Sequence, residues 1–175
     1  MESYYRPFDQ LRTNELTVTR CGWFHPVYEL TDGQFSYGKL SYKGWTQRSA
    51  VIETADTVWT VVPTSIFSRK FLININGGNV GEVAQDIWSR KTTVSMNNGF
   101  RALFMTKKLI SRTYTLMNDE YGDIFNLKQA FWTIKKPFSI SYDQTILKKL
   151  PDLPLLMLLG VHQALLRQQQ AAAVQ

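Results

Sequence analysis

The run Leu155, Leu156, Met157, Leu158 and Leu159 limits what this chain can fold into more than any other feature. At about 100° per residue, five consecutive large apolar residues point to every side of a helix, and a helix apolar all round has to be enclosed rather than laid on a surface. Its ends are marked. Asp152 is placed to cap the N-terminus, Pro154 falls in the first turn, where a missing N–H costs nothing, and Arg167 suits the negative end of the helix dipole. The sequence predicts a helix over about residues 152–168 and a frayed tail at 169–175. The apolar stretch is about fourteen residues long, includes His162 and Gln163, and falls short of the roughly 20 that a bilayer crossing needs, so the expectation is burial within protein. Gly160 inside it predicts a large side chain or a backbone packed close by, because glycine costs a helix about 1 kcal/mol relative to alanine.

The rest of the chain has to supply the enclosure, and it reads as β hairpins in three related copies. Residues 28–40, 71–83 and 114–124 each read strand, turn, strand, with turns beginning at Asp32, Asn76 and Asn118, 44 and 42 residues apart. An apolar–Gly–charged–apolar group follows each turn: Tyr37-Gly38-Lys39-Leu40, Val80-Gly81-Glu82-Val83 and Tyr121-Gly122-Asp123-Ile124, with Trp45, Trp88 and Trp132 further on. Asp32-Gly33 and Asn76-Gly77 supply the positive φ angles of tight hairpin turns. Residues 49–54, 57–62, 92–96, 100–105 and 138–142 are further runs rich in β-branched and aromatic residues, separated by Asp, Asn, Gly and Pro breaks. About four strands per copy give about twelve, spread over about residues 14–145.

The expected fold is therefore all-β with one central helix: a closed antiparallel barrel of about 12 strands wrapped round a buried hydrophobic C-terminal α-helix, in one domain over 1–175. A propeller would use a four-stranded repeat of this length, yet it typically needs at least four blades and has no place for an apolar terminal helix. A lipocalin-type barrel has about eight strands and keeps its interior hollow. Three four-stranded repeats followed by a buried C-terminal helix resemble the tubby-like superfamily, which includes tubby C-terminal domains, phospholipid scramblases and LURP-one-related proteins. The likeness covers about residues 14–167 and is nearest to the small stand-alone LURP-one-related type, whose molecular role is not established. Tubby domains bind phosphoinositides through basic residues on the barrel wall, and scramblases are associated with membrane phospholipids and calcium. No run here matches either site residue by residue, so the resemblance implies the fold and carries over neither site.

Composition narrows the function. With 44% hydrophobic and 13% aromatic residues the chain is globular, and Cys21, its only cysteine, excludes an internal disulfide and suits a reducing compartment. The first residues show no secretory pattern, so cytoplasm is the expected location, with peripheral attachment to a membrane as the variant. The net charge is +6, and it is uneven: the chain up to Thr60 carries six Lys/Arg against seven Asp/Glu, the remainder fourteen against seven. That excess favours anionic partners.

No catalytic constellation is legible, and no cofactor is expected. Cys21 and His25 are four apart but lack an orienting third group, and with His162 as the only other histidine they do not make the usual zinc spacing. The oxygen-rich turn at 118–123 lacks the twelve-residue calcium-loop pattern, and the glycines at 77–81 lack the Lys-Ser/Thr of a phosphate loop. Trp23, Trp45, Trp59, Trp88 and Trp132 are expected in the core. The candidate site residues are the basic doublets Arg69-Lys70, Arg90-Lys91, Lys107-Lys108 and Lys135-Lys136, with Lys148-Lys149 as a fifth pair. Neighbouring residues within a strand face opposite sides, so doublets belong at strand ends and turns. The functional expectation is a non-enzymatic barrel that binds anionic phospholipid headgroups, phosphoinositides included, or another phosphorylated ligand through a basic face, with no specific nucleic acid. The alternative is a structural or protein-interaction module without a lipid ligand.

Overall fold

Period-two alternation of large apolar residues closes this chain into a barrel. The computed structural model describes residues 4–44, 47–86, 89, 91–106, 112–130, 133–150 and 152–173. The first four strands are β1 (Glu15–Cys21), β2 (Val27–Thr31), β3 (Ser36–Lys43) and β4 (Ser49–Thr54), and the next four are β5 (Val58–Pro63), β6 (Lys70–Ile75), β7 (Gly78–Gln85) and β8 (Thr92–Met96). The last four are β9 (Arg101–Met105), β10 (Thr113–Asn118), β11 (Gly122–Gln129) and β12 (Phe138–Tyr142). Each pairs antiparallel with its sequence neighbours, and β12 pairs with β1 to close the ring. Leu16 and Val18, Tyr28 and Leu30, Ala50 and Ile52, Trp59 and Val61, Phe71 and Ile73 are buried at every second position, which sets one row of each strand inward.

Three equivalent irregularities mark the repeat. The ladder register slips after Leu30, Ile73 and Leu116, equally spaced at 43 residues, where the second strand of each copy meets its hairpin. Gly38 stands opposite Leu30 and Gly81 opposite Ile73, but Phe125 stands opposite Leu116. The third counterpart of Tyr37-Gly38-Lys39-Leu40 is therefore Ile124-Phe125-Asn126-Leu127, not the expected residues 121–124. Gly122 serves a different need, with φ +67 at the end of its turn, and matching glycine to glycine in the sequence misses the shift. Of the two predicted tight turns, Asn76-Gly77 is a two-residue loop with both φ angles positive, at 48° and 83°. Asp32-Gly33 instead opens a four-residue connection in which the Asp32 carboxylate accepts from the backbone N–H groups of Gln34 and Phe35 at 2.8 Å.

The helix α1 (Leu153–Ala172) runs through the ring, and residues 153–164 are buried without a break. Each fully buried leucine contributes about 1.5–3 kcal/mol relative to an exposed one, so this segment and the inward rows form one core. A Cβ on Gly160 would stand 2.5 Å from Cζ of Phe104 and 3.5 Å from Cζ of Phe125. The helix thus gives up a side chain where the ring of Phe104 in β9 packs against it. Three expectations about its ends need correction: Arg167 falls short of the last turn, which holds no basic residue, and donates to Thr92 instead. Asp152 stands at the cap position without a side-chain capping bond, and burial raises its carboxyl above the ordinary value. Residues 169–172, expected to fray, continue the helix, since Gln and Ala are good helix formers and no Gly or Pro stops them.

Strand direction sorts every connection to one of two ends. At the first, called the hairpin end, β2–β3, β4–β5, β6–β7, β8–β9 and β10–β11 are joined by two to four residues, and the helix enters after β12. At the second, called the loop end, β1–β2, β3–β4, β5–β6, β7–β8, β9–β10 and β11–β12 are joined by five to eight residues. The helix leaves there: Gln163 meets Gln85 at the end of β7, and Arg167 meets Thr92 at the start of β8.

Candidate anion-binding end of the barrel

Topology brings the described members of three basic doublets to one end. Arg69 immediately precedes β6 and Lys70 is its first residue, Lys91 precedes β8, and Lys135 and Lys136 lie in the connection to β12. All five belong to the loop end and are exposed. Arg90, Lys107 and Lys108 lie outside the described residues, as do Trp45, Trp88 and Trp132. Lys148 and Lys149 are at the opposite end, where Lys149 Nζ sits 5.9 Å over the Tyr121 ring. The expectation of strand ends and turns therefore holds for every described doublet.

The connections at the two ends differ in charge, while residues 4–14 and 143–152 add Arg6, Arg12, Lys148 and Lys149 with Asp9, Asp143 and Asp152 to the hairpin end. Among the described residues, the six loop-end connections hold Arg48, Arg69, Lys91, Arg112, Lys135 and Lys136 against a single acid, Asp86. The five hairpin turns hold Asp32, Asp56, Asp119 and Glu120 and no Lys or Arg. The basic groups are not equally available. Lys70 Nζ lies 2.6 Å from Glu82 of the neighbouring strand, in a half-exposed pair that water and salt screen. Arg48 donates from Nη2 to the Ser68 carbonyl and stands 5.7 Å over the Phe71 ring, which ties the β3–β4 connection to the β5–β6 connection. On the other flank, Arg20 N–H donates to the Lys135 carbonyl at 2.8 Å and joins β1 to the β11–β12 connection. Four of the six connections thus form one arc around the rim, in the order β11–β12, β1–β2, β3–β4, β5–β6.

The same arc carries exposed apolar residues that reading the sequence did not single out. Trp23 and Phe24 in β1–β2, Ile66 and Phe67 in β5–β6, and Ile134 in β11–β12 are all exposed, Phe24 at 88% and Phe67 at 92%. Trp23, expected in the core, is a correction: it follows the last residue of β1 across Gly22 and so lies outside the alternating inward row, whereas Trp59 within β5 is buried as expected. The available signal was apolar residues inside segments that also break strand periodicity.

Beneath the loop end the core becomes polar. His162 Nδ1 shares a hydrogen bond with the Tyr42 hydroxyl at 3.2 Å, and its ring packs edge-on to Phe71 at 5.7 Å. Burial pushes His162 down from 6.5 to about 3 and raises the Tyr42 hydroxyl, so both stay neutral near pH 7. Gln163 Oε1 accepts from Gln85 at 2.7 Å, while His162 Nε2 and Gln163 Nε2 have no protein partner. At the hairpin end the polar groups are spent on turns. Burial opposes ionisation of Asp32, but donation from the Tyr37 hydroxyl at 2.6 Å and from backbone N–H groups outweighs it and holds the carboxyl below its usual value. Burial and that same bond push Tyr37 up to about 12.

The remaining sequence candidates do not converge. Cys21 ends β1 and is exposed, and Asn118 Oδ1 accepts two backbone N–H groups of its own turn at 2.8 Å. Among the described residues no three His, Cys, Asp or Glu side chains are grouped to hold a metal, and no helix is long and apolar enough to cross a membrane. The chain matches no family model, no curated protein and no solved structure.

Proposed function

We propose that this barrel is a non-enzymatic binding module that recognises an anionic, phosphate-bearing ligand, an anionic phospholipid headgroup foremost, through its loop end. The observation that carries the reading is the sorting of charge: six Lys/Arg against one acid in the described loop-end connections, and four acids with no Lys/Arg in the hairpin turns. A molecule so polarised approaches a negative surface with its basic end leading, and each Lys or Arg near an anionic membrane contributes about 1 kcal/mol. The cytoplasmic leaflet is the surface that fits a chain with a single, exposed thiol. A relationship to the tubby-like superfamily belongs to the same proposal, supported by three four-stranded units around a C-terminal helix.

The test is flotation of the full chain with neutral and with phosphatidylserine-containing vesicles over a salt series. Capture by the anionic vesicles alone, weakening as salt rises, is the expected result. Absence of capture at low salt overturns the proposal and leaves the protein-interaction module in its place.

A further inference from the structure

We infer that the loop end docks on a bilayer by inserting the apolar tips of its rim, so that the barrel stands end-on with its basic residues at the headgroups and its hairpin end toward water. This rests on the anionic-ligand reading above and narrows the ligand from any phosphorylated molecule to a lipid surface.

A soluble phosphorylated ligand needs cations and hydrogen-bond donors, and gains little from exposed Trp23, Phe24, Ile66, Phe67 and Ile134. Five of the eight large hydrophobics exposed among the described residues nonetheless lie in loop-end connections. In two of the three segments the tips adjoin cations: Ile66 and Phe67 come shortly before Arg69, and Ile134 directly precedes Lys135 and Lys136. Trp23 and Phe24 lie in the connection between the one bearing Ile134 and the one bearing Arg48. A membrane interface asks for this combination: aromatic and aliphatic groups reach the acyl boundary while Lys and Arg remain among anionic headgroups. The complementary charge selects a lipid surface over a second copy of the chain, because two loop ends meeting face to face would oppose like charges. Loops, rather than the helix, make the insertion, since residues 153–164 are already buried within the barrel.

Labelling the full chain with an environment-sensitive fluorophore tests this. In a Cys21→Ser background, Ser65→Cys places the probe beside Ile66 and Phe67, and Gln34→Cys places it in a hairpin turn as control; both positions are exposed. With phosphatidylserine-containing vesicles the probe at residue 65 is expected to shift to the blue and be quenched by lipids brominated in their acyl chains, while the probe at residue 34 does neither. Soluble inorganic phosphate moves neither probe. Replacing Phe24 and Phe67 by serine is expected to weaken vesicle partitioning by about tenfold or more per residue, with the melting temperature unchanged because neither ring is buried. Capture with the probe at residue 65 still in water overturns insertion while the headgroup reading stands. A blue shift that grows with protein concentration in the absence of lipid assigns the rim to a second copy and overturns insertion. No capture at all overturns both.

Discussion

The two ends of the barrel are built from the same strands and differ in what their connections must do. At the hairpin end the chain reverses in two to four residues, and its side chains are used to make those reversals: Asp32 binds its own turn and Tyr37, and Asn118 binds two backbone N–H groups of its turn. At the loop end five to eight residues separate the strands, more than a reversal requires, and among the described residues that surplus includes exposed apolar side chains and the exposed Arg69, Lys91, Lys135 and Lys136. Groups that complete local geometry are consumed by it. Groups beyond that need are the ones left to meet a partner, which is why the candidate site lies at the end where the connections are long.

The helix links the ends, and three expected outcomes probe how each part of it is held. Leu158→Asp places an unpaired carboxylate in the barrel centre and is expected to abolish folding, whereas Gln170→Asp, in the exposed last turns, leaves the melting curve nearly unchanged. Equal stability of the two variants, read by thermal melting, would contradict enclosure. The next effect is a pH slope from the polar core beneath the loop end. His162 has its folded value lowered to about 3 from 6.5, so the neutral ring's contribution is complete above about pH 6.5 and is lost as pH falls toward 3. Stability is expected to fall by roughly 1 kcal/mol per pH unit at most across that window, and His162→Leu to flatten that part of the curve in urea titrations at several pH values. Smallest is the packing exchange in the middle of the helix. Gly160→Ala gains helix propensity but drives a methyl into Phe104, for an expected net loss of about 1–3 kcal/mol, and Phe104→Leu in the same chain is expected to restore part of it.

Much of this fold could be read from residues alone because its two strongest signals are local. Five consecutive apolar side chains are a statement about one helix, and alternation around Asn-Gly or Asp-Gly is a statement about one hairpin. Residues 49–54, 92–96 and 138–142 form strands with the predicted bounds. The misread positions are those set by nonlocal contact. Phe125 takes the place of Gly38 and Gly81 in the strand pairing, and Phe104 fills the space that Gly160 of the helix leaves, a contact across 56 residues that no turn pattern announces. Trp23 and the other rim residues have core-like chemistry and lie outside the core because the strand has already ended. The basic doublets were legible as strand-end features, but their convergence depends on the parity of the strands: each described candidate other than Lys148 and Lys149 precedes an even-numbered strand or begins one, and all even-numbered strands start at the same end.

Comparing the ends by charge removal tests this polarity most directly. Lys135→Gln with Lys136→Gln neutralises a pair at the loop end, and Lys148→Gln with Lys149→Gln neutralises a pair at the hairpin end, so the two variants carry the same net charge. Flotation with phosphatidylserine-containing vesicles at low salt is expected to show binding reduced by about ten- to thirtyfold in the first variant, at about 1 kcal/mol per cation, and close to the unmodified protein in the second. Equal loss in both would mean that net charge alone drives association, and would contradict a binding end.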